Sequence, residues 1–298
     1  MARTVIWQVD AFTTEPFGGN PAGVVPDARG LPDHRMQQIA SEMNLSETAF
    51  VTPPTGPGAD FRVRFFTPGH EVDLCGHATI ATFHVLAWTG RIPPATPRTV
   101  VVQETGAGRL PVAVEFDGKR VAGVAMEQAE PRTRPCAPAA SVAEALGIPA
   151  DRLDPSLPVE TSCTGLWAVM APLRDPADLA RLEPRPERFD ALAPGVLLSG
   201  IYAFAPDGDG LRARFFVCPR YRILEDPFTG TAAGALGGYL LRRGRLRPDG
   251  SVRVRQGIEM GRPGEATVRA LAGGRIEVSG TAVPVFRTEI DVPDEPQT

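Results

Sequence analysis

Apolar and polar positions alternate with a period of two in Phe61-Arg62-Val63-Arg64-Phe65-Phe66 and again in Leu211-Arg212-Ala213-Arg214-Phe215-Phe216. That pattern predicts a half-buried β-strand in each place. Both strands lead through a loop into a stretch that is apolar or small on nearly every face, His77 to Trp88 and Thr231 to Leu241. A helix of that kind must be enclosed by protein rather than lie on a surface. Each stretch stops at a glycine thirteen positions after its first residue, Gly90 and Gly244, and the second loop is four residues longer than the first. β-rich runs follow, Thr99 to Gln103 and Ser251 to Gln256, with turn signals at Asp117-Gly118 and Gly273-Gly274.

A repeat of this length predicts two similar half-structures, each a set of strands curled around one helix. Upstream, Arg35 to Met43 reads as a helix leading to Glu47-Thr48-Ala49-Phe50-Val51. Glu187 to Ala193 leads likewise to Ile201 to Ala205, an alignment that sets Glu47 against Ile201. The Pro-rich stretch Pro131 to Pro138 marks the expected junction. The expected domains are therefore 1–130 and 131–282, with the last strand, near 283–298, open to joining either.

Bulk properties narrow the functional classes. A chain of 298 residues with 43% hydrophobic and 22% charged side chains can bury two cores. The net charge of −4, without a Lys/Arg cluster, argues against nucleic acid or an anionic membrane as partner. No run approaches the ~20 apolar residues of a membrane span. The N-terminus runs almost directly into a strand rather than a leader. Cys75, Cys136, Cys163 and Cys218 form no CxxC pair, so free thiols in a reducing cytoplasm are expected.

The two copies differ where chemistry is possible. The first opens its helix with Cys75-Gly76-His77, the second with Thr229-Gly230-Thr231. Exposed N–H groups at two such helix starts suit a carboxylate ligand, although ordinary capping explains either one alone. His77 can exchange a hydrogen bond near neutrality, or can be a satisfied core residue. His70 and His84 stand seven residues to either side of His77, which is poor zinc geometry, and no metal is expected. By spacing alone Glu47, at a strand start, reads as solvent-facing, Asp226 before Pro227 reads as a turn residue, and Cys75 as a small buried apolar one.

Taken together, the segments Val9-Asp10-Ala11-Phe12-Thr13, Phe17 to Val25, Asn44 to Val51, Phe66-Thr67-Pro68, Glu71 to Thr79 and Glu225 to Gly234 resemble the PhzF-like family of phenazine-biosynthesis isomerases. The resemblance implies an α+β, diaminopimelate-epimerase-like fold, two similar domains with the active site between them. It implies a cofactor-free isomerase acting on a small amino or hydroxy carboxylic acid, in which Glu47, largely buried, moves a proton between carbons. It assigns His77 and Asp226 to assist, and Gly76, Gly230 and Thr231 to hold the substrate, with Cys75 and Thr229 as auxiliary positions. Superfamily racemases place a cysteine in each half. Here the second position is Thr229, whose alkyl hydroxyl is too weak an acid for two-thiol chemistry. The readings left open are a lyase or dehydratase using Cys75 and a non-catalytic small-acid-binding protein. Like its relatives the chain is expected to be a homodimer.

Overall fold

The computed structural model describes residues 2–95 and 97–293, without the side chain of Ala2. The chain divides into two compact units, Met1–Met126 with Ser279–Thr298, and Glu127–Val278. The expected junction stretch is itself structured, since its residues Arg132–Arg134 form a strand of the second unit.

The first unit contains β1 (Ala2–Ala11), β2 (Asn20–Val25), α1 (Asp33–Met43), β3 (Thr48–Thr52), β4 (Phe61–Phe66), β5 (Glu71–Val72), α2 (Gly76–Trp88), β6 (Arg98–Thr105), β7 (Gly108–Asp117) and β8 (Arg120–Glu127). The last strand, Ala282–Val292, lies antiparallel along β1. From there the pairing runs β1 to β2 antiparallel, β2 to β3 parallel, β3 to β4 antiparallel, β4 to β6 parallel, and β6 to β7 to β8 antiparallel. Helix α2 packs against β1, β2, β3, β7 and the last strand. Strands from across the sheet thus reach one helix, which is why every residue from His77 to Leu86 is buried.

The second unit contains β9 (Arg132–Arg134), α3 (Ala139–Ala145), β10 (Glu160–Cys163), β11 (Trp167–Pro172), β12 (Leu198–Asp207), β13 (Gly210–Val217), β14 (Glu225–Asp226), α4 (Gly230–Arg242), β15 (Ser251–Gln256), β16 (Gly264–Ala270) and β17 (Ile276–Gly280). Its pairing repeats that of the first unit: β9 to β10 to β11 antiparallel, β11 to β12 parallel, β12 to β13 antiparallel, β13 to β15 parallel, β15 to β16 antiparallel. Helix α4 packs on β10, β11 and β16. The segment read as helical near 187–193 is a 3-10 turn over Pro186–Leu192, and Pro194 stops it by disfavouring helical backbone at Ala193. Gly90 and Gly244, which end the two central helices, both take positive φ (73° and 67°), the left-handed stop that glycine adopts without a Cβ penalty.

Register corrects one sequence alignment. Thr48 lies opposite Phe66, and Ile201 lies opposite Phe216, so Ile201 corresponds to Thr48. The counterpart of Glu47 is Gly200. A Cβ there would stand 2.0 Å from the Phe216 carbonyl oxygen, so the second copy cannot carry a side chain at this position without moving backbone.

The arginines of both strand repeats do the same work. Arg64 forks onto Glu71, at 2.7 and 2.6 Å, and lies over the Phe66 ring. Arg214 forks onto Glu225, at 2.9 and 2.7 Å, and lies over Phe216. Each fork ties its short strand, β5 or β14, to the neighbouring long strand four residues before the central helix's N-cap.

Candidate active site

Helix α2 starts from Cys75 in extended backbone, and α4 from Thr229; neither side chain caps its helix. The first-turn N–H groups of an α-helix have no partner within the helix. Without a side-chain cap they remain directed at whatever lies beyond the end, with the positive end of the helix dipole behind them. The Thr229 hydroxyl is turned instead to the Asp226 carboxylate, to which it donates.

In the first unit, Glu47, Cys75 and His77 come together with ligand-capable atoms within 4.8 Å of one another. Glu47 is not a surface residue: β3 begins one position later, at Thr48, so strand alternation does not govern it. Its side chain keeps 21% of its exposure and that of His77 9%, so the pair is sheltered but reachable. The Glu47 carbonyl accepts from Gly23 N–H at 3.1 Å. Position 23 must be glycine for β2 to lie this close, since a Cβ there would be 2.6 Å from Thr48 Oγ1.

The two nitrogens of the His77 ring have different company. Nε2 lies 3.2 Å from Ser46 Oγ and 3.3 Å from Glu47 Oε2. Nδ1 lies 3.4 Å from Asn20 Nδ2 and 3.4 Å from Cys75 Sγ. The approach to Glu47 is within ion-pair distance but out of hydrogen-bond alignment, and Glu47 Oε2 is buried with no hydrogen-bond partner. The Cys75 thiol also comes within 3.9 Å of Nε2, so thiol and carboxylate both lie near that nitrogen, and the three residues offer one ligand-capable atom each. His70 bonds within its own turn to Thr67, and His84 is buried with Nδ1 2.9 Å from the Ile80 carbonyl, so neither joins the trio.

The second unit gathers Asp226, Thr229, Gly230 and Thr231 at the start of α4. Asp226 belongs to β14 rather than to a free turn, and it is half-buried. Gln256, fully buried, donates to the Asp226 carbonyl at 2.8 Å and accepts from Tyr202 OH at 3.0 Å and Thr229 N–H at 3.4 Å. Thr164 donates to the Thr231 carbonyl at 3.1 Å. Asn20, Ser46 and Gln256 are residues that sequence reasoning quoted or passed over without a role. No local sequence signal marks them: Asn20 and Gln256 are set apart by their burial and their partners.

A family model described as phenazine biosynthesis-like protein (PhzC-PhzF) matches residues 9–288. A Deinococcus radiodurans protein named an uncharacterized isomerase is 41% identical, over 93% of this chain and 88% of its own. The trans-2,3-dihydro-3-hydroxyanthranilate isomerase of Pseudomonas aeruginosa is 34% identical, over 94% and 96%. Among solved structures, a Bacillus anthracis phenazine biosynthesis protein of the PhzF family superposes with TM-score 0.87 at 32% identity, over 98% of this chain and 100% of that one. A hydroxyproline epimerase from Agrobacterium vitis shares the fold at TM-score 0.66 and 15% identity, covering 99% and 94%. The architecture is the α+β, two-domain, epimerase-like one.

Proposed function

This chain belongs to the phenazine biosynthesis-like PhzC-PhzF family and is an isomerase, and we propose that Glu47 is its acid–base residue, acting without a cofactor on a small amino or hydroxy carboxylic acid. The observation that carries this reading is Glu47 Oε2, buried and without a hydrogen-bond partner beside His77. Buried polar atoms in folded proteins are almost always paired, and an unpaired carboxylate oxygen in a sheltered but reachable place is suited to take a proton from a substrate. Glu47 removes a proton from an activated carbon of an unsaturated acid and returns it to a second carbon of the same allylic system. His77 donates a hydrogen bond, Asp226 binds an amino group, and the helix starts at Gly76, Gly230 and Thr231 hold the carboxylate and steady the anion.

The test begins with trans-2,3-dihydro-3-hydroxyanthranilate, the compound in the Pseudomonas relative's name, and a panel of unsaturated amino and hydroxy acids in D₂O. Deuterium incorporation should vanish in Glu47→Gln; incorporation at the wild-type rate would sink the proposal. A second reading, a lyase or dehydratase with Cys75 as base, is favoured only by the 3.4 Å approach of its thiol to His77. Loss of turnover in Cys75→Ser with Glu47→Gln still active would select it. A ligand that binds in calorimetry yet is never transformed or exchanged would make the chain a binding protein. We read the setting as reducing cytoplasm from four cysteines that form no disulfide. The family resemblance further predicts a homodimer, which light scattering decides. Among the described residues no helix is long and apolar enough to cross a membrane.

A further inference from the structure

We propose that Asn20 is a positioning residue that fixes the His77 ring as the tautomer with its proton on Nε2, the nitrogen on the side of Ser46 and Glu47. The inference rests on the reading of Glu47 and His77 as one site, but it concerns a proton that can be observed without any substrate.

The geometry separates donors from acceptors on the ring. Nδ1 faces the Asn20 amide nitrogen, Nε2 faces the Ser46 hydroxyl and the Glu47 carboxylate, and the Cys75 thiol lies beside the ring, nearer Nδ1 (3.4 Å) than Nε2 (3.9 Å). An amide –NH₂ can only donate, so Nδ1 opposite it must offer its lone pair, which leaves the proton on Nε2. Turning the amide over would put a proton on Nδ1 and leave the Nε2 lone pair 3.3 Å from a carboxylate oxygen, beside the Ser46 hydroxyl. Two lone pairs would then lie close together in a sheltered site, where electrostatic repulsion is poorly screened. The Glu47 side of the ring therefore selects the amide orientation on the other side.

The backbone holds Asn20 where this requires. Asn20 is buried and is the first residue of β2, opposite Ala11 in the β1 register. Gly19 before it has φ 50°, and a Cβ there would stand 2.0 Å from the Ala11 carbonyl oxygen. The loop ahead is tied down at Phe17, whose N–H donates at 2.7 Å to the buried Asp10 carboxylate. Asp10 thus acts on His77 at a distance, through the loop that delivers Asn20.

The test is ¹⁵N NMR of the full chain with labelled histidine at neutral pH, His77 being assigned by the signals lost in His77→Asn. In the wild type, Nδ1 should resonate in the unprotonated range and Nε2 in the protonated range. Asn20→Leu should draw the two shifts toward each other as both tautomers become populated. Asn20→Asp, nearly isosteric, should place a proton on Nδ1, because a carboxylate can only accept. A wild-type ring protonated on Nδ1 would overturn the proposal even if neither variant folds, as would a wild-type pattern persisting in both. On whichever substrate the exchange panel finds, kcat of Asn20→Leu should fall about fivefold, the scale of one neutral hydrogen bond. If Glu47→Gln leaves exchange intact, the functional reading fails while the tautomer result still stands or falls by itself.

Discussion

His84 gives the molecule an acid sensitivity whose size follows from its position. It sits on α2, 2% exposed, packed against the Trp88 ring at 5.4 Å, with Nδ1 on the Ile80 carbonyl. Burial disfavours the imidazolium and lowers its pKa from 6.5 to about 4, the bond to Ile80 only partly opposing the shift. A depressed folded-state pKa contributes stability that is present above the unfolded value and lost as pH falls toward the folded one. The window is therefore about pH 6.5 down to 4. At pH 5 the unfolded chain binds most of one proton that the folded chain refuses, which costs about 2 kcal/mol relative to pH 7.5. The perturbation is His84→Leu, which keeps an apolar side chain of similar reach and removes the titration. Urea unfolding followed by tryptophan fluorescence at pH 7.5 and pH 5 reads the difference, with Trp88 beside the substituted residue. All other titrating groups are common to both proteins and cancel in the comparison. Wild type should lose roughly 2 kcal/mol more than the variant on acidification. Equal losses would refute the argument that His84 is held neutral by burial.

Three further outcomes follow from packing. Gly200→Ala should destabilise the protein by about 1–3 kcal/mol, since the new Cβ meets backbone rather than a yielding side chain. Gly69→Ala, where nothing lies within 4 Å, should be near neutral in the same melt. The two arginine forks should respond unequally: Glu225→Gln breaks a pair whose side chains are 12% and 10% exposed, and should cost about 3 kcal/mol by denaturant unfolding. Glu71→Gln, at a carboxylate 42% exposed, should cost no more than about 1 kcal/mol, and equal costs would mean burial does not set the strength of the fork.

The duplication was legible because strand and buried-helix patterns recur with matching glycine stops, and pairing order then reproduces it strand for strand. Register was not legible. Assigning Ile201 rather than Gly200 to the Glu47 position is a slip of one residue, and in a strand one residue exchanges the two faces. The same local blindness made Glu47 a surface residue by spacing, because its strand starts one residue after it. His77, Cys75 and Glu47 were each ambiguous singly; their meeting depends on β2, β3 and α2 being adjacent, which no local pattern reports. Asn20 and Gln256 carried the weakest signal, since a buried amide is identified by its partners and those are 57 and 30 residues away for the contacts to His77 and Asp226.

The bare backbone at Gly200 bears on how such a site can change over time. A second carboxylate opposite in the repeat to Glu47 is out of reach of any single substitution, because the obstacle is the Phe216 carbonyl and not a neighbouring side chain. Thr229, half-buried at its helix start, faces no such barrier, and a thiol could be installed there by one codon. A thiol in both copies, matching Cys75, would come through position 229, while a side chain matching Glu47 stays confined to the first copy.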